Sequence, residues 1–205
     1  MKKIIFTSLI ASSALLAGDW YVGVDVSRES ASDTITATLP QGYVWSNGSN
    51  VASASGATYY NVLGLKAGYI ISDKHRAGVM YQKSSKQNGM SHQALIASYA
   101  YTPTLFTNLK GSIGAHAGYV NAEQDKVGAL DAFDMQGTVV GANIGVIYSL
   151  NKNNELEFGY RYSVASMGDE SVRASNAAGT IVTNANVSRT DSKIGQIYLG
   201  YNYRF

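Results

Sequence analysis

Within its alternating stretches, this chain keeps its charges on one side. Residues 137–150 show the pattern most clearly: Val140, Ala142, Ile144, Val146, Tyr148 and Leu150 alternate with Gly141, Asn143, Gly145, Ile147 and Ser149. Successive side chains on a strand point to opposite faces, so such a stretch is a strand with one apolar face. In the other stretches the second face collects the ionisable groups: Asp25, Lys66, Lys110, His116, Glu157 and Arg161. The apolar faces carry no charge over their central parts. Lys83 is in phase with an apolar face but ends its segment, where a long stem lets the ammonium reach headgroups. A cation facing lipid at the bilayer midplane costs about 2–4 kcal/mol. This placement therefore predicts a cylinder that is apolar outside and charged inside.

The segments are residues 19–27, 59–71, 76–84, 92–101, 108–121, 137–150 and 155–164, with an eighth closing at Phe205. They run to about 9–14 residues, and ~9–11 tilted residues cross a bilayer. The connections at 72–75, 102–107 and 151–154 are short, whereas those at 28–58, 85–91, 122–135 and 165–190 form the longer set. Outer-membrane barrels have an even strand count, short periplasmic turns and long extracellular loops. The expected fold is all-β, an eight-stranded antiparallel up-and-down transmembrane β-barrel with both termini in the periplasm. Asn88-Gly89 is a turn signal. Residues 34–39 and 180–188 are rich in Thr, Ile and Val and are expected to extend the strands as hairpins beyond the membrane.

The N-terminus agrees. Lys2 and Lys3 precede an apolar run over residues 4–16 and then Ala17, which reads as a secretory signal peptide. Cleavage is expected between Ala17 and Gly18, leaving a barrel domain at 18–205. The chain has 16 Lys and Arg against 14 Asp and Glu, and the leader holds two of the lysines, so the remainder is formally neutral. The basic balance of the whole sequence is thus no argument for nucleic acid. Cysteine is absent, so no disulfide framework or Cys-linked lipid is expected.

Leader, strand alternation, the Leu156-Glu157-Phe158-Gly159-Tyr160-Arg161-Tyr162 segment and the terminal Tyr201-x-Tyr203-x-Phe205 together resemble the OmpA/OmpX-type outer-membrane β-barrels. The resemblance covers the whole chain after the leader. It implies a bacterial outer-membrane location among lipid and lipopolysaccharide. It also implies an assembly signal at Leu199, Tyr201, Tyr203 and Phe205 for the barrel-assembly machinery. The chain ends at the barrel, so the peptidoglycan-binding domain of longer members is not expected.

An eight-stranded barrel is just wide enough for side chains to fill. The inward charges are therefore expected to neutralise one another, Asp25 with Lys66, and Glu157 with Lys110 or neighbours of Arg161. A charged constriction in a narrow porin is the alternative. Lipid-modifying barrels need a His-x-Ser pair or a His, Asp and Ser gathered at the rim. Ala94 follows His92 by two residues and Gly118 follows His116 by two, leaving only His92 as a rim candidate, so no enzyme is expected. Three scattered histidines and no Cys suggest no metal site, and no cofactor is expected. Tyr43, Val44 and Trp45 cluster at the crest of the first long connection. They are candidates either for contact with a host or surface ligand or for packing beneath the loop. The expected function is a structural barrel with surface contact through its loops.

Overall fold

The computed structural model describes residues 20–175, 181–190 and 192–205; the expected leader, with Ala17 and Gly18 at its expected cleavage site, lies outside the described residues. The strands are β1 (Trp20–Thr38), β2 (Val51–Ser72), β3 (His75–Ser84), β4 (Met90–Tyr101), β5 (Thr104–Phe106), β6 (Leu109–Gln124), β7 (Phe133–Ser149), β8 (Asn154–Met167), β9 (Glu170–Ser175), β10 (Ile181–Arg189) and β11 (Ser192–Arg204). All strands but β5, β9 and β10 form an antiparallel ring of eight, closed where β11 pairs β1 from Tyr21↔Arg204 to Ser32↔Lys193. Closure matters because hydrocarbon offers no partner to an unpaired backbone group.

The ring is strongly staggered. One ladder row runs Val24↔Leu65↔Tyr81↔Leu95↔Tyr119↔Thr138↔Ser166 and so reaches β8 at Ser166. Run the other way, through Tyr201, the same row meets β8 at Leu156. The ten-residue offset from Leu156 to Ser166 is the shear that tilts the strands.

The apolar face looks outward all the way round. Leu65, Ile144 and Phe158 are 54%, 59% and 55% exposed, whereas Asp25 and Arg161 are 1% and 8% exposed. Aromatic residues border this belt, as in membrane barrels. Trp20, Tyr69, Tyr99, Tyr148 and Tyr203 lie toward the rim where Phe205 N–H meets Trp20 C=O, and Tyr59, Tyr81 and Tyr119 lie toward the other. The first is called here the terminal rim and the second the far end.

Several strands outrun their sequence expectations. Residues 28–58 are not one long loop: β1 and β2 stay paired up to Thr38↔Val51, leaving only 39–50 as a connection. Above the lipid belt the outer face of β1 turns polar (Ser30, Ser32, Thr34, Thr36) while strand geometry continues. The hydrophobic alternation fades there, but the strand does not. The expected extension over 34–39 is thus present through Thr38, and β10 carries the second one. Likewise β6 runs to Gln124 and β7 starts at Phe133. Residues 102–107, expected as a plain turn, contain the short β5, which pairs β6. Asn88 (φ 51°) and Gly89 (φ 77°) form the two-residue turn closing Gln87↔Met90, the left-handed pair that a hairpin of this hand requires.

Candidate functional site

The barrel interior is stacked in tiers. Nearest the terminal rim, Arg76 on β3 donates two hydrogen bonds to Glu155 on β8, at 2.7 and 2.9 Å. Arg204 on β11 donates a third at 3.3 Å. Glu155 is fully buried, and a forked guanidinium is the partner best shaped for a buried carboxylate. The Arg76 guanidinium also lies 5.8 Å from the Tyr21 ring centroid.

The next tier contains five of the six sequence-predicted groups, Asp25, Lys66, His116, Glu157 and Arg161. Lys66 Nζ donates to Glu157 Oε2 at 2.6 Å, reaching across β1 and β11. Tyr198 donates to the other oxygen of Glu157 at 3.0 Å, and Asn202 donates to Oε2 at 3.2 Å. Asp25 is met by Arg161 at 3.5 Å. Arg161 also donates to Gln196 and lies 4.5 Å from the Tyr198 ring centroid. Gln196 in turn donates to Ser27 at 2.9 Å. His116 is buried and shares a 2.8 Å hydrogen bond with Ser163.

This arrangement corrects two pairings. Lys66 meets Glu157 rather than Asp25, because glycines open its route. A Cβ on Gly23 would stand 3.0 Å from Lys66 Cε, and one on Gly200 would stand 2.9 Å from its Nζ. The ammonium therefore lies along a glycine floor across two strands. Lys110 joins no lumen pair; at the start of β6 it donates to the Asp73 carbonyl of the first short turn, at 3.0 Å.

Above this tier the lumen becomes apolar. Met80, Ala94, Ile96, Val120, Val139 and Ala165 pack together. Two polar pairs sit at the level of the upper belt, the Arg189–Asp33 ion pair and His92 Nε2 beside the Glu29 carboxylate at 3.3 Å. His92, the rim candidate, thus points inward, edge-on to Tyr60 with ring centroids 5.1 Å apart. The interior cavities beside these groups measure about 30 Å³ next to Glu29 and His92 and about 60 Å³ next to Lys66 and Arg161. Each has room for a few waters at most.

The far end closes with a core of its own. Leu39, Leu130, Phe133, Met135, Val172 and Val187 are buried together, drawn from the first hairpin, the β6–β7 connection, the start of β7, β9 and β10. Trp45 packs against this core, while Tyr43 and Val44 are 44% and 62% exposed. The cluster at 43–45 therefore divides: one ring anchors the loop and two side chains face out. Sequence reasoning missed Glu29, Asp33, Arg76, Glu155 and Arg189. For Glu29 and Asp33 the signal was available, since both continue the odd-numbered inward phase of Asp25 and Ser27.

Leu199, Tyr201 and Tyr203 on β11, and Phe205 just after it, where the assembly signal is expected, are 53%, 40%, 41% and 58% exposed.

No family model matches the chain, and no curated protein matches it. Solved structures do. Neisserial surface protein A superposes with a TM-score of 0.60 at 20% identity, over 91% of this chain and 97% of that one. The outer membrane protein OprG of Pseudomonas aeruginosa gives 0.53 at 16% identity, over 92% and 96%. Outer membrane protein H of P. aeruginosa gives 0.51 at 25% identity, over 92% and 100%. The fold is that of the eight-stranded outer-membrane barrels.

Proposed function

We propose that this chain is an integral protein of the bacterial outer membrane, a closed structural barrel whose far-end cap makes contact at the cell surface by adhesion or ligand binding. The observation that carries this reading is the lumen itself. Buried ion pairs fill its lower half, apolar side chains together with the Arg189–Asp33 and His92–Glu29 pairs fill its upper half, and a hydrophobic core lies beneath the far end. What remains for function is the outside of the cap, where Tyr43 and Val44 are exposed. The leader and the short turns at the terminal rim support an orientation with both termini in the periplasm. In that orientation Arg28 and Lys83 stand outside the barrel at the border of an apolar groove containing Val26, Leu63, Ile197 and Leu199. Cations above an apolar strip suit the phosphates and acyl chains of lipopolysaccharide. Leu199, Tyr201, Tyr203 and Phe205, facing outward, suit recognition by the barrel-assembly machinery.

Two measurements test the reading. Tyr43→Cys, introduced into a chain with no other cysteine, is expected to react with an impermeant maleimide on intact cells, and Lys152→Cys is not. The reverse labelling pattern would overturn the orientation. In planar bilayers the refolded protein is expected to give no reproducible channels. Conductance abolished by Arg161→Ala would replace the closed scaffold with the narrow-porin reading, in which the charged tier around Arg161 lines the path.

A further inference from the structure

Above the closed ring, a stretch of β2 is paired on one side only. β2 pairs β1 from Val51 to Tyr69, but on its other side β3 begins only at Val62↔Ser84, with Ser85 N–H bonded to the Asn61 carbonyl at 2.7 Å. From Val51 to Tyr59, β2 therefore has a free edge at the far end, above the aromatic border. Strand parity tells which groups it presents. Asn61 directs its carbonyl to β3, and its N–H bonds Ser85 Oγ on the same side. Asn50, at an even position, accepts from Leu39 on the β1 side. The ladder between them is unbroken. Ser53, Ser55, Ala57 and Tyr59 thus aim both N–H and C=O away from β1. Among the described residues none of these groups has a backbone partner on that side.

Natural sheets protect such edges with charge, proline or bulges. The stretch Val-Ala-Ser-Ala-Ser-Gly-Ala-Thr-Tyr has none of these, and most of its side chains are small. A Cβ added at Gly56 would meet nothing within 4 Å, so the glycine serves no packing need there; it leaves the edge slim. A row of strand-spaced donors and acceptors is satisfied by one kind of partner, another extended polypeptide added as a strand.

We infer that the occupant is a second copy of this chain, pairing edge to edge and antiparallel through the same stretch. The edge is its own complement: odd residues of one copy face odd residues of the other, so each outward N–H finds an outward C=O, and no like charges oppose each other. Its limits set the register. The end of β3 at Asn61 bounds it on one side and the 39–50 connection on the other, so a copy that fits between them pairs about Ser55, the midpoint of 51 and 59. Such an interface is isologous, the commonest symmetry of soluble oligomers. The two-fold relating antiparallel strands is perpendicular to their sheet. Because this sheet stands up from the membrane, the axis lies in the membrane plane and the second barrel points the opposite way. The pairing therefore joins two facing membranes. This last step rests on the far end being extracellular, as proposed above.

The test uses the full barrel, refolded in detergent and in vesicles. Ser55→Cys is expected to form a disulfide-linked dimer on mild oxidation, since hydrogen-bonded antiparallel pairs lie within disulfide reach. Lys152→Cys, at the other end of the barrel, is expected to stay monomeric. Vesicles carrying the unmodified chain are expected to cluster, and Ser55→Pro to abolish clustering. That substitution removes an edge-facing N–H and leaves the β1 ladder intact, since proline is tolerated at strand edges. Ser55→Cys no more crosslinked than Lys152→Cys would overturn the inference and leave a foreign strand as the remaining occupant. If that happens while Tyr43→Cys still labels on cells, the surface reading stands and only the self-pairing falls. If Ser55→Cys crosslinks but vesicles do not cluster, the facing-membrane arrangement is overturned.

Discussion

Lys66 illustrates how an ionised side chain is housed in so narrow a cylinder. Its ammonium crosses two strands over Gly23 and Gly200 and ends between Glu157 and the neighbouring polar groups. Removing one member of such a buried pair strands the other charge, which costs about 3–5 kcal/mol. Lys66→Ala is therefore expected to destabilise the refolded barrel by about 3 kcal/mol in urea titrations. Lys66→Met combined with Glu157→Leu is expected to recover much of that loss, because the isolated charge is gone. A single variant as stable as the parent would mean the pair holds nothing together. The inward facing of Asp25, Lys66, His116, Glu157 and Arg161 could be read from sequence phase alone. Their pairing could not. Which residues meet across the lumen depends on the ten-residue shear and on where glycines clear a path. Neither is written into any one segment.

Among the elements, the β1–β2 hairpin departs furthest from the character of the strands it continues. Below, it is one pair in a closed ring; above, β2 has a neighbour on one side only. Amide exchange is expected to alternate there in the monomer. Ala52, Ala54, Gly56 and Thr58, whose N–H groups face β1, should be protected, and Ser53, Ser55, Ala57 and Tyr59 should exchange far faster. Uniform protection in a demonstrably monomeric sample would contradict the parity assigned to the strand. Sequence periodicity predicted the part of this hairpin that crosses lipid, where Val22, Val24 and Val26 mark the outer face. It lost the upper part because water, unlike lipid, accepts Ser and Thr on an exposed strand without any apolar mark. The 125–132 connection was unreadable for a related reason: Leu130 is buried by partners from β9 and β10, far along the chain.

For the molecule as a whole, the claim with most riding on it is that the outer belt faces hydrocarbon. Ile144 lies on that belt within β7, and Tyr59 at its upper border. Arginine at the midplane of a membrane barrel costs about 2–4 kcal/mol and near an interface about 0–1. Ile144→Arg is expected to weaken folding into lipid vesicles by about 2–4 kcal/mol, and Tyr59→Arg by less than about 1. Equal penalties would argue that the belt does not sit in a bilayer. Along β1 the two faces also exchange character. Up to Val26 the even-numbered side is greasy and the odd-numbered side holds Asp25; from Ser30 upward the even side is hydroxylated and the odd side carries Ala31 and Ala37 inward beside the paired Asp33. That exchange works as a depth gauge. A barrel riding lower would drag Arg28 into acyl chains, and one riding higher would lift Val26 and Leu199 into water. The draught of the protein is thus encoded at a single level on its wall.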